Sequence, residues 1–264
     1  MTEFKDYAPG TFCWVDLATT DAEASKKFYT QLFGWTATDV PAGEAGTYTM
    51  LEKAGKNVCA LYQMDEVMQQ QSPSPYWLSY VSVQNVDDST EKAKTLGGQI
   101  LQTPCDVMDS GRMSLIQDPT GAVFALWQPG QHIGADLANE PATFCWNELH
   151  TKDVEKATQF YSQLFGWGTK KSQNATGGDY IEFLRGDHSG AGMMEIQPDW
   201  GEVPPNWAIY FTVEDCDATL EKAEALGGHI EMQPMEMKDV GKFAIIKDPQ
   251  GAYFTVIQMP EGVS

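Results

Sequence analysis

The chain says one thing twice. "FCWVDLATTDAEASKKFYTQLFGW", from Phe12 to Trp35, returns from Phe144 to Trp167 as "FCWNELHTKDVEKATQFYSQLFGW", with 14 of 24 positions identical at a constant offset of 132 residues. "WLSYVSVQNVDDSTEKAKTLGGQILQTP" from Trp77 then matches "WAIYFTVEDCDATLEKAEALGGHIEMQP" from Trp207, and "DPTGAVFALWQ" from Asp118 matches "DPQGAYFTVIQ" from Asp248. The offset is now 130, so two residues are lost in between. The loss is expected in the loop pair "DVPAGEAGTY" and "SQNATGGDY", or in the connector that follows. A long period present only twice means duplicated domains and not a solenoid. The expected division is a first domain over 9–129, a Gly-, Pro- and polar-rich linker over 130–143, and a second domain over 144–260.

Each half divides again. Phe12–Leu17 is strand-like. Thr20-Asp-Ala-Glu23 reads as a capping box opening a helix. Ala22, Ser25, Phe28, Tyr29, Leu32 and Phe33 recur at 3–4 spacing, which predicts one buried helical face ended by Gly34. Tyr48–Leu51 and Val58–Tyr62 read as strands. Trp77–Val83 is a strand, Asp88–Leu96 a helix, and Ile100–Leu101, Ser114–Gln117 and Val123–Trp127 are strands. Asp118-Pro-Thr-Gly121 and Asp248-Pro-Gln-Gly251 carry a type I turn signature. The pattern is α+β: four βαβββ modules in tandem, each helix covering one face of a mixed sheet.

The formal net charge of −20 argues against nucleic acid and anionic membranes as partners, since both call for a basic face. No apolar run is long enough for a membrane span. The opening MTEFKDYAPG has no apolar signal segment. Five cysteines without a CxxC read as reduced thiols, Cys13 and Cys145 among them in apolar strands. A cytoplasmic protein, monomeric or homodimeric, acting on a small molecule is expected.

With "FYTQLFGW" and "FYSQLFGW" after the first helix of each half, "AKTLGG" and "AEALGG" after the second, and DPTG and DPQG before the last strand, the sequence resembles the vicinal oxygen chelate superfamily. That group includes glyoxalase I, extradiol dioxygenases and the bleomycin resistance proteins. The resemblance spans about residues 12–259. It implies two cup-shaped domains, and in the metal-dependent members a divalent ion held by His, Glu or Gln from the first and last strands of each module. Counting from the shared motifs, three of those positions fall on Trp14, Leu78 and Ala125 in the first half, with the fourth in Val58–Tyr62. In the second half they fall on Trp146, Ala208 and Thr255, with the fourth in Ala191–Glu195. Trp, Leu and Ala do not ligate such an ion. No cofactor is therefore expected, and a divalent metal in the familiar arrangement is disfavoured.

Residues at i and i+2 on a strand share a face. The first cup is then lined by Trp14, Asp16, Leu78, Tyr80, Ala125 and Trp127. The second is lined by Trp146, Glu148, Ala208, Tyr210, Thr255 and Ile257, with His150 near the strand end. Apolar walls with a few polar groups suit a small, flat ligand. Asp16 and Glu148 are the candidate catalytic groups. A mid-strand carboxylate either faces a cavity or takes a buried donor such as Tyr80 or Tyr210, and a structural hydrogen bond is favoured over catalysis. His150, His132, His188 and His229 form no metal-spaced pair and read as surface or loop residues, and Met232–Met237 reads as strand and loop packing. The leading expectation is a binder of planar or aromatic molecules in a cup without the usual metal ligands. The alternative is a metal-dependent lyase, isomerase or dioxygenase of glyoxalase type, or a metal-free variant using Asp16 or Glu148. Which modules pair to close each cup stays open at this level.

Overall fold

A computed structural model describes residues 3–43, 46–71, 74–173 and 177–260. The first strand, β1 (Phe12–Thr19), is buried along its whole length. Helix α1 (Ala22–Phe33) follows, with Phe28, Tyr29, Leu32 and Ser25 on its buried face as the 3–4 spacing predicts. Its cap differs from the predicted box. Asp21, not Thr20, is the N-cap, accepting from the Ala24 N–H at 3.0 Å. A carboxylate answers a free N–H at a helix start as well as a hydroxyl does. Gly34 closes the helix at φ 74°.

Strands β2 (Thr36–Pro41), β3 (Thr47–Lys53) and β4 (Lys56–Gln63) complete the first module. A short helix α2 (Glu66–Gln71) leads to the second: β5 (Tyr76–Ser82), α3 (Val86–Thr95), β6 (Gln99–Val107), β7 (Gly111–Gln117) and β8 (Val123–Pro129). The second half repeats the order as β9 (Phe144–Thr151), α4 (Val154–Phe165), β10 (Gly168–Gln173), β11 (Asp179–Arg185), β12 (His188–Glu195), β13 (Asn206–Thr212), α5 (Cys216–Ala225), β14 (His229–Met237), β15 (Gly241–Lys247) and β16 (Tyr253–Gln258). The 132-residue offset holds through β4 and β12, so the two missing residues fall in the connector. There α2 is replaced by a single 3-10 turn at Pro198–Trp200. Parts of the loop pair, residues 44–45 and 174–176, lie outside the described residues.

Each half forms one eight-stranded mixed sheet, ordered β2-β3-β4-β1-β5-β8-β7-β6 and β10-β11-β12-β9-β13-β16-β15-β14. The two modules of a half therefore join edge to edge, through the antiparallel pair β1 and β5 or its copy β9 and β13. This settles the pairing: each cup is closed within its own half. The helices lie on the opposite face of each sheet, between the halves, and the repeated motifs meet there. Phe28 packs where Gly228 has no side chain, and Phe160 where Gly98 has none. The Tyr29 hydroxyl donates to Asp248 Oδ2 at 2.9 Å and accepts from Trp77 Nε1 at 3.2 Å. The Tyr161 hydroxyl donates to Asp118 Oδ2 at 2.8 Å and accepts from Trp207 Nε1 at 2.9 Å. So the opening stretch of one half docks on the DPxG turn of the other, twice, with two-fold exchange. All five cysteines are free thiols. Among the described residues no helix is long and apolar enough to cross a membrane.

Candidate functional site

On β1, alternation sends Val15 and Leu17 toward the helices and Trp14 and Asp16 into the cup, while a register irregularity between Phe12 and Trp14 interrupts it at Cys13. Trp14 lies opposite Tyr80, and Asp16 lies between Leu78 on one side and Ala60 on the other. Tyr80 aligns with Ala125 of β8, and Trp127 lies two residues on. The expected lining of the first cup is thus brought together. The second cup repeats it, with Trp146 opposite Tyr210, Glu148 between Ala208 and Gly192, and Tyr210 beside Thr255. Both cups open on one continuous depression of about 2940 Å³, lined by residues of both halves. Met232, Met235 and Met237 of β14 line its rim.

The two carboxyl groups occupy the same place and are held differently. Asp16 is 1% exposed. Its Oδ2 accepts from the Tyr80 hydroxyl at 2.8 Å and from the Tyr48 hydroxyl at 2.8 Å, and Tyr48 accepts from Trp14 Nε1 at 2.9 Å. Its Oδ1 is buried with no hydrogen-bond partner. Burial pushes the carboxyl up, to about 7, against the lowering effect of the two tyrosine hydrogen bonds. Glu148 uses both oxygens. Oε2 accepts from Tyr180 at 2.7 Å, while Oε1 accepts from Tyr210 at 2.9 Å and lies 2.9 Å from His150 Nε2. Burial raises this group too, but the hydrogen bond and charge of His150, with Tyr180 and Tyr210, outweigh it and hold the carboxyl below its usual range.

The pairing of Asp16 with Tyr80 and of Glu148 with Tyr210 follows the sequence reading. Tyr48 and Tyr180 were not anticipated, although they stand 132 residues apart in the repeat. They arrive from β3 and β11, one strand beyond the immediate neighbour. Two histidines depart from expectation. His150 is not a surface residue: it is the partner of Glu148, packed edge-on to Trp200 at 5.2 Å. His132, in the linker, folds onto the first cup, 4.5 Å edge-on to Trp14 and 5.9 Å from Trp127, whose Nε1 donates to its carbonyl oxygen. His132 Nε2 is buried without a partner, and burial pushes this imidazole down. Ile257, where the first cup has Trp127, leaves the second cup with Phe243 beside Tyr210 at 6.5 Å.

A glycine makes the second constellation fit. A Cβ on Gly192 would collide with the Tyr180 hydroxyl and stand 2.9 Å from Trp146 Nε1. Gly192→Ala is therefore expected to push Tyr180 off Glu148 and cost about 2–3 kcal/mol by chemical denaturation, the upper range for overpacking.

The positions that the family resemblance assigns to a divalent ion carry almost no donors. Trp14, Leu78 and Ala125 offer an indole, an isobutyl and a methyl group, and in the second half Trp146 and Ala208 are no better, Thr255 adding one neutral hydroxyl. Among the described residues no three His, Cys, Asp or Glu side chains are grouped to hold a metal ion. The residues present do not fit that ion, and no chemistry is routed through one.

A family model described as "Glyoxalase/Bleomycin resistance protein/Dioxygenase superfamily" matches residues 11–126 and again 144–256. The chain is 42% identical over 259 residues to "Putative glyoxylase CFP32" of Mycobacterium bovis, covering 98% of each. It is 37% identical over 272 residues to "Anthracycline biosynthesis protein DnrV" of Streptomyces peucetius, covering 99% of this chain and 97% of that one. Among solved structures, the Mn(II)-bound glyoxalase from Novosphingobium aromaticivorans superposes with a TM-score of 0.66 at 14% identity, over 95% of this chain and 82% of that one, a likeness of fold.

Proposed function

Because the chain belongs to the glyoxalase/bleomycin resistance protein/dioxygenase superfamily, we propose that it binds a small, flat aromatic molecule directly on the walls of the first cup. The observation that carries this reading is the buried, unpaired Oδ1 of Asp16, on a carboxyl whose Oδ2 is held by Tyr48 and Tyr80, with Trp14 bonded to Tyr48 and Trp127 packed on Tyr80. Leaving a buried acceptor unmade costs about 1–3 kcal/mol, which a ligand hydrogen bond would recover. Indole and phenol faces supply stacking surface for a ring at that place. The name of the Streptomyces relative supports the same ligand class, since an anthracycline is built on a flat fused-ring system. In this reading the ring lies across Trp127 and Tyr80, and a polar substituent reaches Asp16.

A second reading makes Asp16 a general base in a metal-free proton transfer. A carboxyl pushed up to about 7 is poised to accept and return a proton at neutral pH. The name of the mycobacterial relative leans toward an enzyme. Binding comes first in both readings, and turnover of the bound compound separates them.

The binding test is tryptophan quenching with a panel of fused-ring aromatics. Saturable quenching is expected. Trp127→Ala should weaken it about tenfold, the loss of one stacking wall, while Ile257→Ala in the second cup should change it less than about twofold. Equal effects of the two substitutions would remove the first cup from its assigned role.

A further inference from the structure

The two cups differ by one side chain at the carboxylate. Glu148 has His150 against its carboxylate. The residue of the first half that corresponds to His150 is Ala18, and nothing replaces the imidazole. The titratable groups facing Asp16 are Tyr48 from β3, Tyr62 and Cys59 from β4, and Tyr76 and Tyr80 from β5. Burial, then the nearby Asp16 carboxyl, pushes all of these up, so they remain neutral. His132 lies across Trp14, and its burial opposes protonation. Among the described residues, then, the first cup holds a buried carboxyl with one unpaired oxygen, walled by four tyrosines and two tryptophans, and without a cation of its own.

We propose that the first cup is a site for an organic ammonium group carried on a flat aromatic ligand, with the ammonium seated on Asp16 Oδ1 in the place that His150 takes beside Glu148. This rests on the aromatic-binding reading above and narrows it to a substrate class. The recognition is of two kinds. An N–H of the ammonium donates to Oδ1, a charge-assisted bond. Tyr48 and Tyr80 turn their hydroxyls to Asp16, and the rings of Trp14 and Trp127 in the same wall add cation–π attraction for a cation lodged there. A neutral hydroxyl would still donate to Oδ1 but would gain neither the ion pair nor the attraction of the rings, and an anionic substituent would be repelled.

The test compares 2-(aminomethyl)naphthalene, 2-naphthalenemethanol and 2-naphthoate by tryptophan quenching on the full chain. At pH 8 the amine is expected to bind about tenfold tighter than the alcohol, and the carboxylate weaker than both. In wild-type protein the affinity for the amine should rise about tenfold from pH 6 to pH 8, as Asp16 ionises, while that for the alcohol stays flat. In Asp16→Asn the preference for amine over alcohol should fall to about one. The pH series needs no variant, so a poorly folded Asp16→Asn leaves the test intact. Equal binding of all three probes, flat with pH, would overturn the ammonium site while leaving the aromatic-binding reading standing. Binding of none would overturn both.

Discussion

Asp16→Asn is expected to stabilise the protein at pH 8 by about 3 kcal/mol and to leave it nearly unchanged at pH 4. The sign follows from the direction of the shift. The buried carboxyl is raised from 3.8 to about 7, so the folded state holds a proton that the unfolded chain has released. Stability is therefore lost as pH rises from about 4 to about 7, and at pH 8 the wild type carries the full cost of an ionised, desolvated group. Asparagine keeps an oxygen for Tyr48 and Tyr80 and has no charge to desolvate. Glu148→Gln should do the opposite. Its carboxyl is held below the usual range by His150, Tyr180 and Tyr210, so its ionised form contributes stability above the unfolded value of 4.5, lost as pH falls. Removing that charge should cost about 2–3 kcal/mol at pH 8, where a buried partner is left behind. Denaturant unfolding at pH 4 and pH 8 checks both. Equal, small effects at the two sites would mean that the cups are electrostatically alike. A buried carboxyl that lowers stability once ionised is what a ligand site entails.

Asp248→Ala should destabilise by about 3–5 kcal/mol, the largest effect expected of a single substitution outside the cups. Asp248 Oδ1 accepts from the N–H groups of Gln250, Gly251 and Ala252 at 2.9, 2.7 and 2.8 Å, and Oδ2 takes the buried Tyr29 hydroxyl. Truncation leaves the Gln250 and Ala252 N–H groups and the Tyr29 O–H unmet at once, while Gly251 keeps its bond to the Asp248 carbonyl. Asp118→Ala should match it, since Asp118 does the same for Thr120, Gly121, Ala122 and Tyr161. Tyr29→Phe, which removes one hydrogen bond and keeps the ring, should cost only about 1 kcal/mol. Because these contacts join the halves, the double variant Asp118→Ala/Asp248→Ala should unfold in two steps instead of one by differential scanning calorimetry. A single transition with full enthalpy would show that the halves hold together without this exchange.

Much of this architecture was legible because the chain repeats itself. The repeat exposed two halves, the 3–4 spacing from Ala22 to Phe33 marked the helix, and the two-residue strand period put Trp14 with Asp16 and Leu78 with Tyr80 on one face. The pairing of each carboxylate with a tyrosine opposite followed from the cost of burying it alone. What stayed hidden depended on long-range register. Tyr48 reaches Asp16 from β3 across β4, a step no local period encodes. His132 sits in a linker with no pattern, and its place over Trp14 is set by Gly134, which fits tightly against the Cys13 backbone. The meeting of the FYxQLFGW and LGG motifs between halves was equally unreadable, since a buried helix face does not say which sheet covers it. His150 looked like a surface residue because its partner, Glu148, is two positions away on the same strand and was read only as a tyrosine acceptor.

In the proposed function the first cup takes its ligand on side chains alone. The decisive measurement is the affinity for a fused-ring aromatic amine, titrated once on protein treated with a chelator and desalted, and once on protein incubated with manganese or ferrous iron and desalted. The expected result is the same dissociation constant in both, with no stoichiometric metal retained. Binding that requires the metal, with one ion per chain surviving desalting, would contradict it and place the ligand on a coordination site that Trp14, Leu78 and Ala125 do not provide.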